Sequence, residues 1–245
     1  MTSTAIADIG APDADLDPSS DRYAQRFAGP AGEYLLSRQT QALHRFLRDM
    51  PGASILDVGG GHGQSARPLL AAGHPVTVLS SSRAAWGQIA DMDHPGLRRQ
   101  VGPLLQMPFV DRSFDVVVAL RMMAHVGDWK TLLAEMTRVA RRAVIIDFPL
   151  PGGANLAKPL LLWAKKRAEG NTRDYDTVAR ADVHACLGQY GFGVAGEVGQ
   201  FVLPMVVHRM LKTPRVSQGF EAVLGAVGLD RVWGTPVILR ADRVQ

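Results

Sequence analysis

Asp57-Val58-Gly59-Gly60-Gly61-His62-Gly63 is the stretch that decides how this 245-residue chain folds. It follows a short apolar run at residues 54–58 and opens residues 64–72, which read as a helix stopped by Gly73. A strand, a glycine-rich turn and a helix in that order begin a doubly wound α/β sheet, whose ligands lie beyond the carboxyl ends of the strands. Gly59, Gly61 and Gly63 fall at that end. Glycine admits positive φ and lets backbone amides approach a ligand with no Cβ between them. The helix that follows adds free N–H groups at its N-terminus. Asp57 can orient such a turn by accepting its amide hydrogen bonds. By itself the turn fits several nucleotide-bearing ligands.

Alternation continues on both sides of the turn. Residues 76–79 read as a second strand, 84–91 as a helix and 99–102 as a weak third strand. Residues 114–120 form a continuous apolar run, as in a parallel strand covered on both faces. Residues 129–140 form an amphipathic helix with Leu132, Leu133, Met136 and Val139 facing inward, and 143–148 a fifth strand. Upstream, residues 23–48 are helical with a break near Gly29-Pro30-Ala31-Gly32. After Pro149, helical stretches at 155–167 and 177–190 precede a sixth strand at 193–203. Another at 205–229, broken at Pro214, precedes a last strand at 237–240. The pattern predicts a Rossmann-like, doubly wound, mostly parallel seven-stranded sheet with helices on both faces and a small helical cap. Residues 1–20 are expected to be a tail and 21–245 a single domain. Within it, 149–192 and 204–233 read as cap insertions over the substrate side or as core filling.

Composition narrows the class. Hydrophobic residues make up 47% and charged residues 20%, as in an ordinary globular protein. No apolar run reaches the roughly 18–20 residues of a membrane-spanning helix. The first twenty residues lack a signal peptide's basic start and apolar centre. They hold Asp8, Asp13, Asp15 and Asp17 without Lys or Arg, which reads as a solvated tail, and the expected location is cytoplasmic. Cys186 is the only cysteine, so neither an intramolecular disulfide nor a thiolate metal cluster is expected. His184 beside it lacks the further ligands a metal needs. A net charge of +4 does not mark a nucleic-acid binder. The cluster Arg138, Arg141 and Arg142 reads as cations at a helix end, and Lys165, Lys166 and Arg167 as a solvated face. Peripheral membrane contact and the oligomeric state stay open.

Three further segments make the turn specific. They are Leu105-Gln106-Met107-Pro108-Phe109 with Ser113-Phe114-Asp115-Val116-Val117, then Met122-Met123-Ala124-His125-Val126, then Leu133 to Ile146. Together with Asp57 to Gly63 they resemble the class I S-adenosylmethionine-dependent methyltransferase family over about residues 20–150. The resemblance implies S-adenosyl-L-methionine as cofactor and a small-molecule methyl acceptor. It places Gly59, Gly61 and Gly63 by the methionine portion, Gln106 and Met107 near the adenine, and Arg121 and Met122 near the sulfonium. Two positions depart from the pattern. Where the family has an acid ending the second strand to receive the ribose hydroxyls, this chain has Ser80, at about the usual 20-residue separation from the turn. Where it often has an acid after the third strand's glycine, Pro103 follows Gly102.

Those departures admit rivals. Gly61-x-Gly63-x-x-Ala66 satisfies the dinucleotide pattern, and Ser80-Ser81-Ser82-Arg83 resembles a strand end that takes an NADP 2′-phosphate. That is an NADP-dependent reductase reading. It leaves Asp57 and residues 114–125 unexplained, and the chain has no Tyr-x-x-x-Lys pair. A non-catalytic cofactor-binding regulator is the third reading, motivated by the missing acids.

Methyl transfer from a sulfonium is an in-line displacement with a neutral leaving group. The protein must mainly hold the acceptor and exclude water. His125 is the candidate base, since it leaves the fourth strand at the ligand end and imidazole titrates near neutrality. The alternative is a histidine that only packs or bonds backbone. Asp147, ending the fifth strand, can orient an amine or hydroxyl. Asp128 reads as a helix N-cap, and Tyr23 and Phe27 as aromatic residues that close over the site or join the core. Leu160, Leu161, Leu162, Trp163, Phe201 and Met205 favour a hydrophobic, lipid-like acceptor, or else form ordinary core.

Overall fold

Strand β1 (Ile55–Val58) is buried along its whole length because it is paired on both sides. Its neighbours β2 (Val76–Ser80) and β4 (Phe114–Ala119) both run parallel to it. The computed structural model describes residue 15 and residues 27–151, 177–202, 219, 221, 223–224, 229 and 233–244. Beyond β2 lies β3 (Leu97–Val101) and beyond β4 lies β5 (Ala140–Phe148), again parallel. Strand β7 (Val237–Arg243) inserts antiparallel between β5 and β6 (Phe192–Gly199), giving the order β3-β2-β1-β4-β5-β7-β6. The seven-stranded, mostly parallel sheet is the one the sequence predicts. The chain steps outward from β1 to β3 and returns to β1's other side as β4. The carboxyl ends of β1 and β4 therefore flank the switch point where such sheets bind ligands.

Successive side chains of a strand face opposite layers, and both layers are covered. Leu56, Val58, Val117 and Ala119 pack against Leu132, Leu133 and Met136 of α3 (Trp129–Val139) and Val183 and Leu187 of α4 (Arg180–Gln189). Ile55, Val116, Val118 and Ile145 pack against Leu43 and Phe46 of α1 (Gly29–Phe46) and Leu69 and Leu70 of α2 (Ala66–Ala71). Each fully buried aliphatic side chain contributes about 1.5–3 kcal/mol. Asp57, between Leu56 and Val58, consequently points into the α1 and α2 layer.

Several boundaries differ from the sequence reading for local reasons. The break expected at residues 29–32 is the start of α1, with proline in its first turn where a missing N–H costs nothing. The helix expected at 84–91 is a 3-10 helix, Arg83–Ile89, interrupted by Gly87 at φ +42°. Asp128 caps α3 as expected, accepting the Thr131 amide at 3.1 Å. That helix passes into β5 with no loop, because Ala140 is already extended. Arg141 and Arg142 are therefore strand residues, a correction to the helix-end reading. Arg141 pairs with Asp115 at 2.7 Å, and only Arg138 sits in the last helical turn. Strand β7 is tied to α1 by Arg240. Its guanidinium donates to the Phe46 carbonyl and to both Asp49 oxygens and bonds Asp242 at 2.6 Å.

Asp15, read as part of a solvated tail, is buried against Ser81. Tyr23, the Leu160–Trp163 run, the Lys165 cluster and Met205 lie outside the described residues, as does most of the expected cap. Among the described residues no helix is long and apolar enough to cross a membrane.

Candidate functional site

The glycine-rich turn is folded tightly against the neighbouring strand ends. Gly59 has φ +73° and donates its amide to the Leu79 carbonyl at 2.8 Å. A Cβ there would stand 2.3 Å from Met122 Sδ, at the end of β4. A Cβ on Gly60 would stand 2.0 Å from Asp57 Oδ2, and one on Gly63 2.6 Å from Ile89. The turn's own packing thus demands glycine, before any ligand is considered.

Asp57 lies beneath Gly60 and is 1% exposed. The amide bonds expected to reach it are not made at Oδ2, which has no hydrogen-bond partner among the described residues. Burial pushes its pKa up to about 7, and the nearby Arg121 charge only partly offsets this. Asp147, on β5, is also buried and is pushed up to about 6 against the opposing pull of Arg121's amide and charge.

Arg121 joins these groups. It follows β4 at φ +62°, an uncommon backbone state for a residue with a side chain. Its amide donates to Asp147 Oδ1 at 2.5 Å, and its guanidinium donates to Gln39 Oε1 of α1 at 2.7 Å. The same guanidinium lies 5.0 Å from the ring centroid of Phe27. The Arg121 charge, without a bond from the guanidinium to either group, opposes the effect of burial on both Asp57 and Asp147.

The remaining candidates are spread along the same edge. Ser80 is fully buried and its Oγ has no partner among the described residues. Gln106 is exposed, whereas Met107 belongs to the core. The Met107 backbone is clamped from behind: its amide donates to Glu135 at 2.6 Å and its carbonyl accepts from Arg138 at 3.0 Å. Met122 is fully buried, and the half-buried His125 turns back on it, its amide bonding the Met122 carbonyl at 2.9 Å. Asp57, Gly59, Ser80, Arg121 and Met122 thus share three adjacent strand ends. Gln106 and Met107 lie on the segment between β3 and β4, beside α3.

Unsatisfied buried atoms mark this edge. Asp57 Oδ2, Gln64 Oε1, Ser80 Oγ, Ser82 Oγ and Arg121 Nε lack partners among the described residues, as does Gln39 Nε2 on α1. Native interiors leave few such atoms, and each calls for an explanation. Their gathering at the ends of β1, β2 and β4 fits a polar ligand that would satisfy several at once.

Three contributors escaped the sequence reading. Gln39 could have been found as the polar residue between Leu35 and Leu43 on α1's buried stripe. The Glu135–Arg138 clamp is an i,i+3 pair and was visible as such. Asp15 carried no signal.

Residues 56–146 match the family model described as a methyltransferase domain. The chain is 31% identical over 151 residues to a demethylmenaquinone methyltransferase of Renibacterium salmoninarum, covering 56% of the chain and 63% of that relative. It is 29% identical over 143 residues to an O-methyltransferase of Pyrenophora dematioidea, covering 54% and 52%. The alignments thus span less than two thirds of the relatives' lengths. Among solved structures, magnesium protoporphyrin IX methyltransferase of Synechocystis with bound SAH superposes with a TM-score of 0.62 at 18% identity, covering 91% of this chain and 93% of that one.

Proposed function

We propose that this protein is a methyltransferase that uses S-adenosyl-L-methionine to methylate a hydrophobic small molecule. The observation that carries the reading is the set of unpartnered buried polar atoms at the ends of β1, β2 and β4, around a turn with no room for a Cβ at Gly59, Gly60 or Gly63. The residues present fit the cofactor. Gly59, Gly61 and Gly63 would let its methionine portion approach the backbone with no Cβ between, Ser80 would offer one hydroxyl to the ribose, and Gln106 and Met107 would border the adenine. Because Glu135 takes the Met107 amide, adenine contact there falls to the side chain. When bound, the cofactor supplies an electrophilic methyl on a positively charged sulfur.

Charge supports the same reading. Burial disfavours the ionised forms of Asp57 and Asp147, and the Arg121 charge opposes this in both. A ligand with net positive charge is favoured there over an anionic dinucleotide. Arg121 and Met122 hold the rim of β4, and His125 acts as base toward an acceptor that must lose a proton. Asp147 acts by fixing the Arg121 amide. Phe27, Tyr34, Leu35 and Phe201 form an apolar cluster reaching Arg121, which supports a hydrophobic acceptor.

Calorimetric titration with S-adenosylmethionine, S-adenosylhomocysteine and NADPH tests the cofactor. Binding of the first two is expected, and binding of NADPH alone would sink the proposal. Tight binding without methyl transfer to any quinone, porphyrin or phenol acceptor would favour the regulator reading. His125→Ala should lower turnover by about 100-fold, within the usual range for a general base, with cofactor affinity unchanged.

A further inference from the structure

We propose that Gln39 of α1 and Arg121 at the end of β4 form a paired donor site for a carbonyl oxygen of the methyl acceptor, which makes that acceptor an aromatic ketone or a compound with an equivalent conjugated carbonyl. The inference deepens the acceptor reading above and rests on it. Arg121 Nη1 donates to Gln39 Oε1 at 2.7 Å. A guanidinium has no acceptor, so the oxygen of the Gln39 amide must face it and the NH2 group must turn the other way. That nitrogen, Nε2, is buried and has no partner among the described residues, and the same holds for Arg121 Nε. Two side chains bonded to each other thus each keep an N–H with nothing to receive it.

The deficit is one-sided. Both atoms can only donate, so what satisfies them is oxygen lone pairs, and a carbonyl oxygen brings two of these and no proton. Burial sharpens the demand. Gln39 is 4% exposed, which denies its amide water as an alternative partner.

The surroundings set the rest of the class. Leu35 precedes Gln39 by one turn of α1, so the two share a face of the helix. Leu35 packs with Tyr34, Phe201 and Phe27, and the Phe27 ring centroid lies 5.0 Å from the Arg121 guanidinium carbon. Guanidinium groups pair well with aromatic faces. A flat conjugated ketone taking the half-buried Phe27's place there would bring its oxygen to the two N–H groups. Asp147 already sets a carboxyl against the Arg121 amide, so a neutral carbonyl is favoured over a carboxylate.

The test is fluorescence titration of the full chain, saturated with S-adenosylhomocysteine. The probes are 2-acetylnaphthalene, its oxygen-free isostere 2-isopropenylnaphthalene, and 2-naphthoate. Wild type should bind the ketone about 10- to 100-fold tighter than the isostere, as for bonds that include a charged donor. It should also bind the ketone tighter than the naphthoate. Gln39→Glu decides the role. Glutamate still accepts from Arg121 but carries no N–H, so a residue that only held Arg121 would be rescued, whereas a recognition role predicts that the ketone preference falls about 10-fold or more. Gln39→Leu, of similar volume, should lose it as well, and both variants should keep the wild-type affinity for S-adenosylhomocysteine. A wild type that binds the ketone no better than the isostere, or not at all, overturns the proposal. So does a preference that survives Gln39→Glu, a naphthoate that outbinds the ketone, or a loss of S-adenosylhomocysteine affinity in either variant. S-adenosylhomocysteine is titrated first. Failure of the wild type to bind it refutes the cofactor reading, whereas its binding without a ketone preference refutes this inference alone.

Discussion

Replacing Asp57 by Asn should stabilise the protein relative to wild type progressively as pH rises from about 4 to about 7, and change little below that range. The wild-type carboxyl is 1% exposed, its Oδ2 has no partner among the described residues, and its pKa stands at about 7. In the unfolded chain the same group titrates near 3.9. Its folded pKa is raised, so the folded state retains a proton that the unfolded state has released. Stability from this group is therefore greatest below about pH 4 and is lost as pH rises through about 7. The whole difference is about 4 kcal/mol, of which about 2.5 kcal/mol falls between about pH 5 and about pH 8. Those figures are ceilings, because any opening that admits water lowers them. Asparagine has nearly the same shape and never ionises. Asp147 titrates in the same direction in both proteins and cancels in the comparison. Urea unfolding of wild type and Asp57→Asn at half-unit steps of pH measures the difference directly. It should widen with pH by about 2 kcal/mol in favour of the variant. A difference independent of pH over that window would mean that Asp57 titrates as an ordinary carboxyl, and the desolvation argument would fail.

Two other substitutions test the frame around the site. Gly59→Ala places a Cβ 2.3 Å from the fully buried Met122 sulfur at φ +73°, and should cost about 1–3 kcal/mol in unfolding experiments while weakening cofactor binding. An unchanged midpoint would show that Met122 yields without cost. Arg240→Ala removes the guanidinium bonded to Phe46, Asp49 and Asp242, and should destabilise by about 2–4 kcal/mol. Arg240→Lys should recover little, because a lysine cannot reproduce the two-pronged bond to Asp49; full recovery would reduce the interaction to simple charge.

Much of the sheet was legible in residue order because the signals are local. Asp57 to Gly63 marks a strand end and a turn through glycine's conformational freedom, and residues 114–120 mark a doubly covered strand through an unbroken apolar run. The motifs around Met107 and His125 carried the resemblance for the same reason: each is a short word readable where it stands. Boundaries were less legible. Ala140 begins β5 immediately after α3, with no turn residue to signal the change, so Arg141 and Arg142 were assigned to the wrong element.

By itself the sequence determined the α/β class, the place of the glycine-rich turn and the absence of an acid at Ser80, since these depend on residue identity and near-neighbour spacing. Tertiary structure decided which distant groups meet there. Arg121 becomes the shared partner of Asp147 and Gln39 only because β5 and α1 converge on the end of β4. Asp57 becomes a carboxyl that resists ionisation only because the surrounding packing excludes water from it. Asp15 meets the Ser81 amide across 66 positions of sequence. Such contacts join residues dozens of positions apart, and no local pattern encodes them. They exist because the folded chain removes these groups from water and leaves each to find its hydrogen bonds among the others.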